Sequence, residues 1–268
     1  MTDPADIPVV ILCGGMGTRL REASEKLPKP LVDIGGRPIL WHIMKSYSHY
    51  GFRRFVLCLG YKSDLIKQYF LNYRTLTADF TLELAGEGPA QVHSAECEDW
   101  SITFAETGLM TATGARVHRV RQYLDAPRFA LTYGDGIGDV RIDQLLAQHE
   151  ASGKVGTVTG VHPSSRYGEM HVTGEVVTEF NEKPTLATGW VNGGFFLFER
   201  EFADHYLGDD PDEMLEHRPL QKLARDTELG VFEHNGFWMG MDTFRDWTEL
   251  NRRWDAGDAP WRVWGDAA

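Results

Sequence analysis

The stretch Val9-Val10-Ile11-Leu12-Cys13-Gly14-Gly15-Met16-Gly17-Thr18-Arg19-Leu20 decides how the rest of the chain reads. An apolar run feeds a loop with three glycines, and Lys29-Pro30 follows shortly after. Without Cβ atoms, Gly14, Gly15 and Gly17 let backbone N–H groups come close to anionic oxygens, while Arg19 and Lys29 add charged donors. Such a loop is suited to a triphosphate. A Walker A loop is excluded, because no Gly-Lys-Ser/Thr closes the required spacing. A dinucleotide fingerprint fits weakly: Leu20 stands where a small residue is wanted, and the second apolar run, Phe55-Val56-Leu57-Cys58-Leu59, ends at Gly60-Tyr61-Lys62 rather than at an acidic residue. A plain turn with solvated basic residues is the bland alternative. Against it, Arg21, Lys26 and Lys29 join Arg19 in one segment of an otherwise acidic protein.

From that strand outward, short apolar runs alternate with amphipathic segments, the pattern of an α/β fold with a mixed, mostly parallel, Rossmann-like sheet and helices on both faces. Strands are expected over 9–12, 55–59, 80–85, 101–106, 129–132, 155–161, 170–172, 176–180 and 193–198. Helices are expected from Pro38, in a first turn, to a stop at Gly51, with Ile39, Leu40, Ile43, Met44 and Tyr47 on one face, and over 63–73, 114–123 and 142–151; the remainder reads as largely helical apart from 231–233. Four tryptophans, Trp247, Trp254, Trp261 and Trp264, make the tail too aromatic to float free, so it should dock on the body or on a partner subunit. With 268 residues, 42% of them hydrophobic, and no linker or low-complexity run, one domain over 1–268 is expected. Its first half, about 1–135, carries the glycine loop and would hold the nucleotide, and 136–268 would form the second half with the aromatic tail.

A net charge of −12 argues against nucleic acid or an anionic membrane surface as partner. A small anionic substrate needs only the local basic pocket near residues 19–29. Three cysteines, Cys13, Cys58 and Cys97, show neither a disulfide nor a zinc pattern and suit a reducing cytoplasm. The acidic start, Met1-Thr2-Asp3-Pro4-Ala5-Asp6, is unlike a signal peptide, and no apolar run reaches membrane-spanning length.

Leu12-Cys13-Gly14-Gly15-Met16-Gly17-Thr18-Arg19-Leu20 with Pro28-Lys29-Pro30-Leu31 resembles the signature of sugar-1-phosphate nucleotidylyltransferases. Within them the resemblance is to the glucose-1-phosphate cytidylyltransferase family. It is carried by Pro38-Ile39-Leu40-Trp41-His42-Ile43-Met44-Lys45, Thr132-Tyr133-Gly134-Asp135-Gly136, Asn181-Glu182-Lys183-Pro184, Asn192-Gly193-Gly194-Phe195-Phe196 and Gly236-Phe237-Trp238 through Met241-Asp242-Thr243. The resemblance implies transfer of a cytidylyl group from CTP to α-D-glucose 1-phosphate, giving CDP-glucose and pyrophosphate, with Mg²⁺ as cofactor. It also implies a homo-oligomer.

Residue roles follow from the same source. Arg19 and Lys29 would be catalytic, Lys29 at the α-phosphate and Arg19 on the departing pyrophosphate. Leu12, Gly14, Gly15, Gly17, Thr18, Thr111 and Gly134 would complete the nucleotide site. Lys183 would bind the sugar phosphate, with Tyr133, Glu182, Asn192 and Gly193 around the sugar. Asp135 and Asp242 would hold the metal. Read without the resemblance, Asp135 also suits a Gly-Asp-Gly turn and Asp242 a helix N-cap. Glu106, at the end of a strand and before Thr107-Gly108, is the candidate reader of cytosine N4, the donor that other pyrimidines lack; an exposed strand end is the alternative. Other nucleotides (GTP, UTP), another sugar or cyclitol phosphate, and a catalytically silent sugar-nucleotide sensor remain open on the sequence.

Overall fold

The computed structural model describes residues 2–15, 27–85, 88–93, 97–162, 169–173, 176–181 and 189–265, the two segments between 169 and 181 by backbone alone. At its centre lies strand β1 (Pro8–Leu12), in which all five residues are buried. An unbroken apolar run of this kind fits only where both sheet faces are covered. Strand β2 (Arg54–Leu59) pairs parallel with β1, and β3 (Ser101–Glu106) pairs parallel with β2 at the sheet edge. On the other side of β1 comes β4 (Arg128–Tyr133), again parallel, with Leu12 opposite Tyr133.

Beyond β4 the sheet becomes mixed. Strand β5 (Gly156–Val161) is separated from β4 by a chain that arrives in two pieces, β6 (Val191–Asn192) and β7 (Phe196–Glu199), both antiparallel to β5. Strand β8 (Leu229–His234) runs parallel to β5 on its far edge. Register changes by two residues between β6 and β7: Gly160 faces Asn192, whereas Thr157 faces Leu197. The extra residues are absorbed by left-handed backbone at Gly194 (φ 77°) and Phe195 (φ 46°). A bulge of this sort re-aims the strand, and here Asn192 meets Tyr133 at the end of β4.

Alternation along β1 sends Val9 and Ile11 into one core and Val10 and Leu12 into another. Helix α1 (Ile39–His49) covers the first face through Ile39, Leu40, Ile43, Met44 and Tyr47, all buried. Helix α3 (Thr113–Val120), which follows α2 (Ser63–Leu71), covers the second through Val117 and Val120. Each fully buried aliphatic side chain here contributes roughly 1.5–3 kcal/mol of transfer free energy. The aromatic tail docks on the first face: Trp261 is fully buried and Trp264 nearly so. Their rings close around His42, whose ring lies 4.9 Å from that of Trp254 and 6.4 Å from that of Trp261.

The expected strand over 80–85 contracts to Phe80–Thr81 paired with Gln91–Val92. Its side chains are exposed, so no buried face demands a longer ladder. The expectation of a mainly helical C-terminal part needs correction at Trp238–Gly240, which forms an antiparallel ribbon with Gly136–Gly138. Neither run is long or alternating enough to announce a strand.

Candidate active site

Ligands of open α/β sheets collect beyond the carboxyl ends of parallel strands. The principal cleft lies there. Cys13, Gly14 and Gly15 continue β1, and Gly134 and Asp135 continue β4; together with Thr111, Thr113, Arg116, Met214 and others they enclose about 390 Å³. A Cβ built at Gly14 would sit 2.1 Å from the Arg116 guanidinium carbon, so the guanidinium packs directly on this glycine.

Arg116 is buried and uses its two terminal nitrogens on four acceptors. Nη1 donates to the Leu59 carbonyl at 3.0 Å and to Thr107 Oγ1 at 2.7 Å. Nη2 donates to the carbonyls of Gly14 and Leu109, both at 3.2 Å. One guanidinium thus ties the loops after β1, β2 and β3 into a single wall. Its partners come from three separate stretches of chain, so sequence reasoning had only an arginine on a helix to work with.

At the opposite wall, Lys29 follows the loop in a short 3₁₀ turn, Lys29–Leu31. Its Nζ donates to Asp135 Oδ2 at 2.7 Å and to Asp242 Oδ1 at 2.8 Å. The ribbon Gly136–Gly138 with Trp238–Gly240 explains how two aspartates so far apart in sequence meet: Gly136 faces Gly240, and Met241 N donates to the Asp135 carbonyl at 2.8 Å. Asp242 does not cap the helix after it. Thr243 does, accepting from Asp246 N while Asp246 accepts from Thr243 N at 2.8 Å, a capping box that starts Phe244–Asp255.

Among the described residues no group of three His, Cys, Asp or Glu is gathered. A hard octahedral ion, however, commonly takes one or two carboxylates and completes its shell with waters and substrate phosphates. Asp135 and Asp242 converge on one ammonium and therefore fit that requirement.

Farther along the cleft, Tyr133 donates to Glu216 Oε1 at 2.6 Å and accepts from Asn192 Nδ2 at 3.1 Å. Burial, reinforced by the neighbouring Glu216 charge, pushes the Tyr133 phenol up, so it keeps its proton. Trp238 Nε1 donates to the Gly193 carbonyl at 2.7 Å, which fastens the bulge to the ribbon carrying the two aspartates.

Residues 8–255 match the family described as Nucleotidyl transferase. The chain belongs to that family. It is 44% identical over 256 residues to the glucose-1-phosphate cytidylyltransferase of Salmonella typhimurium, covering 95% of this chain and 98% of the relative. It is 43% identical over 255 residues to a probable glucose-1-phosphate cytidylyltransferase of Bacillus subtilis, covering 95% and 99%. Among solved structures, HddC from Yersinia pseudotuberculosis complexed with GMP-PN superposes with a TM-score of 0.66 at 23% identity, over 92% of this chain and 99% of that one. A putative glucose-1-phosphate thymidylyltransferase from Bacillus anthracis gives 0.67 at 14% identity, over 92% and 94%. These two structures share the nucleotidyltransferase fold with this chain.

Within this nucleotidyltransferase, Leu12, Gly14, Gly15, Lys29, Thr111, Tyr133, Gly134, Asp135 and Asp242 all line the cleft. Gly17, Thr18, Arg19, Glu182 and Lys183 lie outside the described residues. Asn192 reaches the cleft wall through Tyr133, and Gly193 is engaged through its carbonyl. Glu106 is not brought to the cleft. Its exposed carboxylate accepts from Lys67 Nζ, and that contact holds it below the usual carboxylate range. Strand alternation is the reason: Ala105 lies on one face of the sheet and Glu106 on the other, at the strand end beside Lys67 of α2.

Proposed function

We propose that this nucleotidyltransferase joins CTP and α-D-glucose 1-phosphate to give CDP-glucose and pyrophosphate. Likeness over nearly the full length to cytidylyltransferases of glucose 1-phosphate carries this reading. A phosphate oxygen of the sugar phosphate attacks the α-phosphorus of CTP, the bond to the bridging oxygen breaks, and pyrophosphate leaves with that electron pair. Both reactants are anionic, so the protein's task is alignment and charge neutralisation.

Lys29 supplies the positive charge at the α-phosphate and stabilises the charge that grows there in the transition state. Gly14 and Gly15 bring backbone donors to the triphosphate, with Gly17, Thr18 and Arg19 continuing that loop. Asp135 and Asp242 would hold Mg²⁺, which when bound neutralises phosphate oxygens and helps align them. Tyr133, Asn192 and Gly193 face the sugar, with Glu182 and Lys183 completing that subsite. No covalent intermediate is needed. The nearest thiol, Cys13, is buried, and desolvation pushes it well up, so it stays protonated and inert.

Self-association is proposed as well, supported by the exposed side chains of Leu71, Leu76, Leu82 and Leu84 along one stretch of chain. Light scattering reads it directly. A reducing cytoplasm suits three cysteines that are all free thiols. Among the described residues no helix is long and apolar enough to cross a membrane.

Pyrophosphate release measured with Mg²⁺ over CTP, UTP, dTTP and GTP against several sugar 1-phosphates tests the reading. CTP with glucose 1-phosphate should give the highest kcat/KM. A higher value for another pair reassigns the substrates, and no release with any pair makes the protein a silent binder of sugar nucleotides.

A further inference from the structure

Beside the cleft runs a chain of hydrogen bonds that meets at one carboxylate. At one end Leu215 N donates to Thr113 Oγ1 at 2.8 Å, and the Thr113 hydroxyl donates to Glu216 Oε2, also at 2.8 Å. At the other end Gly194 N donates to Asn192 Oδ1 at 2.9 Å, which fixes the amide so that Nδ2 faces the Tyr133 hydroxyl. Tyr133 accepts from Asn192 and sends its own proton to Glu216 Oε1. An ionised carboxylate can only accept, so Glu216 takes a proton from each hydroxyl.

We propose that Glu216 is a positioning residue that holds the Tyr133 oxygen as a pure acceptor beside the Asn192 N–H donor, so that the pair reads one hydroxyl of the sugar phosphate. The inference rests on the reaction proposed above and names what selects its second substrate. With its proton spent on Glu216, Tyr133 has a remaining lone pair for a substrate O–H, and Asn192 has a second Nδ2 hydrogen for the same or an adjacent oxygen. A hydroxyl donates to one and accepts from the other. Fluorine at that position can accept but cannot donate, so it keeps half of the recognition. Glu216→Ala takes both acceptors away, which frees the Tyr133 proton so that the phenol can donate to the substrate as well as accept from it.

The test is steady-state kinetics at saturating CTP with glucose 1-phosphate and its monodeoxyfluoro analogues at each ring position, for the wild type and Glu216→Ala. In the wild type one position should show a KM raised about tenfold by fluorine, the weight of one hydrogen bond. Glu216→Ala should raise KM for the parent sugar phosphate about tenfold and shrink the fluorine penalty at that position below about twofold, with kcat and KM for CTP within about twofold. Tyr133→Phe should raise KM similarly and also lose the penalty, and the double variant should be no worse than either alone. Should Glu216→Ala fold poorly, Tyr133→Phe carries the same comparison. A parent KM within about twofold of wild type in both variants, or a fluorine penalty untouched by them, overturns the proposal. A wild type that makes no pyrophosphate from CTP and glucose 1-phosphate sinks the reaction assignment itself, and this inference with it.

Discussion

The carboxyl end of the sheet and the aromatic cluster behind α1 are built from opposite materials. In the cleft, Lys29 stands between two carboxylates that are each about a third exposed, at 39% and 33%. Around His42, three tryptophan rings close on a side chain with no exposure at all. Charges near water can change partners when a substrate arrives, because exposed ion pairs are worth little in stability. A dry aromatic cluster cannot rearrange without opening cavities. Chemistry and stability are therefore separable here, and single substitutions should move one without the other.

The largest effect is expected on the stability side. Trp261→Ala removes a fully buried ring and should cost about 3–5 kcal/mol, read as a lower denaturant midpoint, with kcat per folded molecule little changed. Next comes Lys29→Ala. It should lower kcat by on the order of 10² or more while the midpoint shifts by less than about 1 kcal/mol. Equal losses of activity and stability in either variant would erase the contrast.

Acid should sharpen it. Burial pulls the His42 imidazole down to about 4, so the folded state holds it neutral where the unfolded chain, near its ordinary 6.5, binds a proton. The unfolded state then carries more protons between pH 6.5 and 4, and stability must fall as pH falls through that window. A melting temperature lower by about 2–4 °C for each kcal/mol lost is the expected reading. A curve flat across that range would show that the cluster admits water. The smallest effect belongs to Glu106→Ala, because its carboxylate faces Lys67 instead of the cleft; CTP preference over UTP should stay within about twofold.

Where local pattern and global position agree, the sequence was readable. The buried run of β1 and the α1 face over 39–47 follow from periodicity alone, and Lys29, Asp135 and Asp242, singled out by motif resemblance, meet in the cleft. Three features were not readable, each for a physical reason. The ribbon joining Gly136–Gly138 to Trp238–Gly240 is three residues long on each side and has no alternation to detect. The two-residue bulge before Phe196 depends on left-handed backbone at a phenylalanine, which local preference disfavours. Arg116 and Glu216 act by gathering groups from distant loops, and no spacing rule encodes such a meeting. Glu106 marks the converse case, a plausible residue that strand parity sends to the wrong side.

The short ribbon has a consequence for how such an enzyme changes over time. Asp135 and Asp242 are clasped by one ladder at its end, whatever the intervening hundred-odd residues do. Loops and strands between them can lengthen, shorten or be exchanged while the acidic pair keeps its spacing, so the rest of the cleft can be rebuilt around a pair that never has to be reinvented.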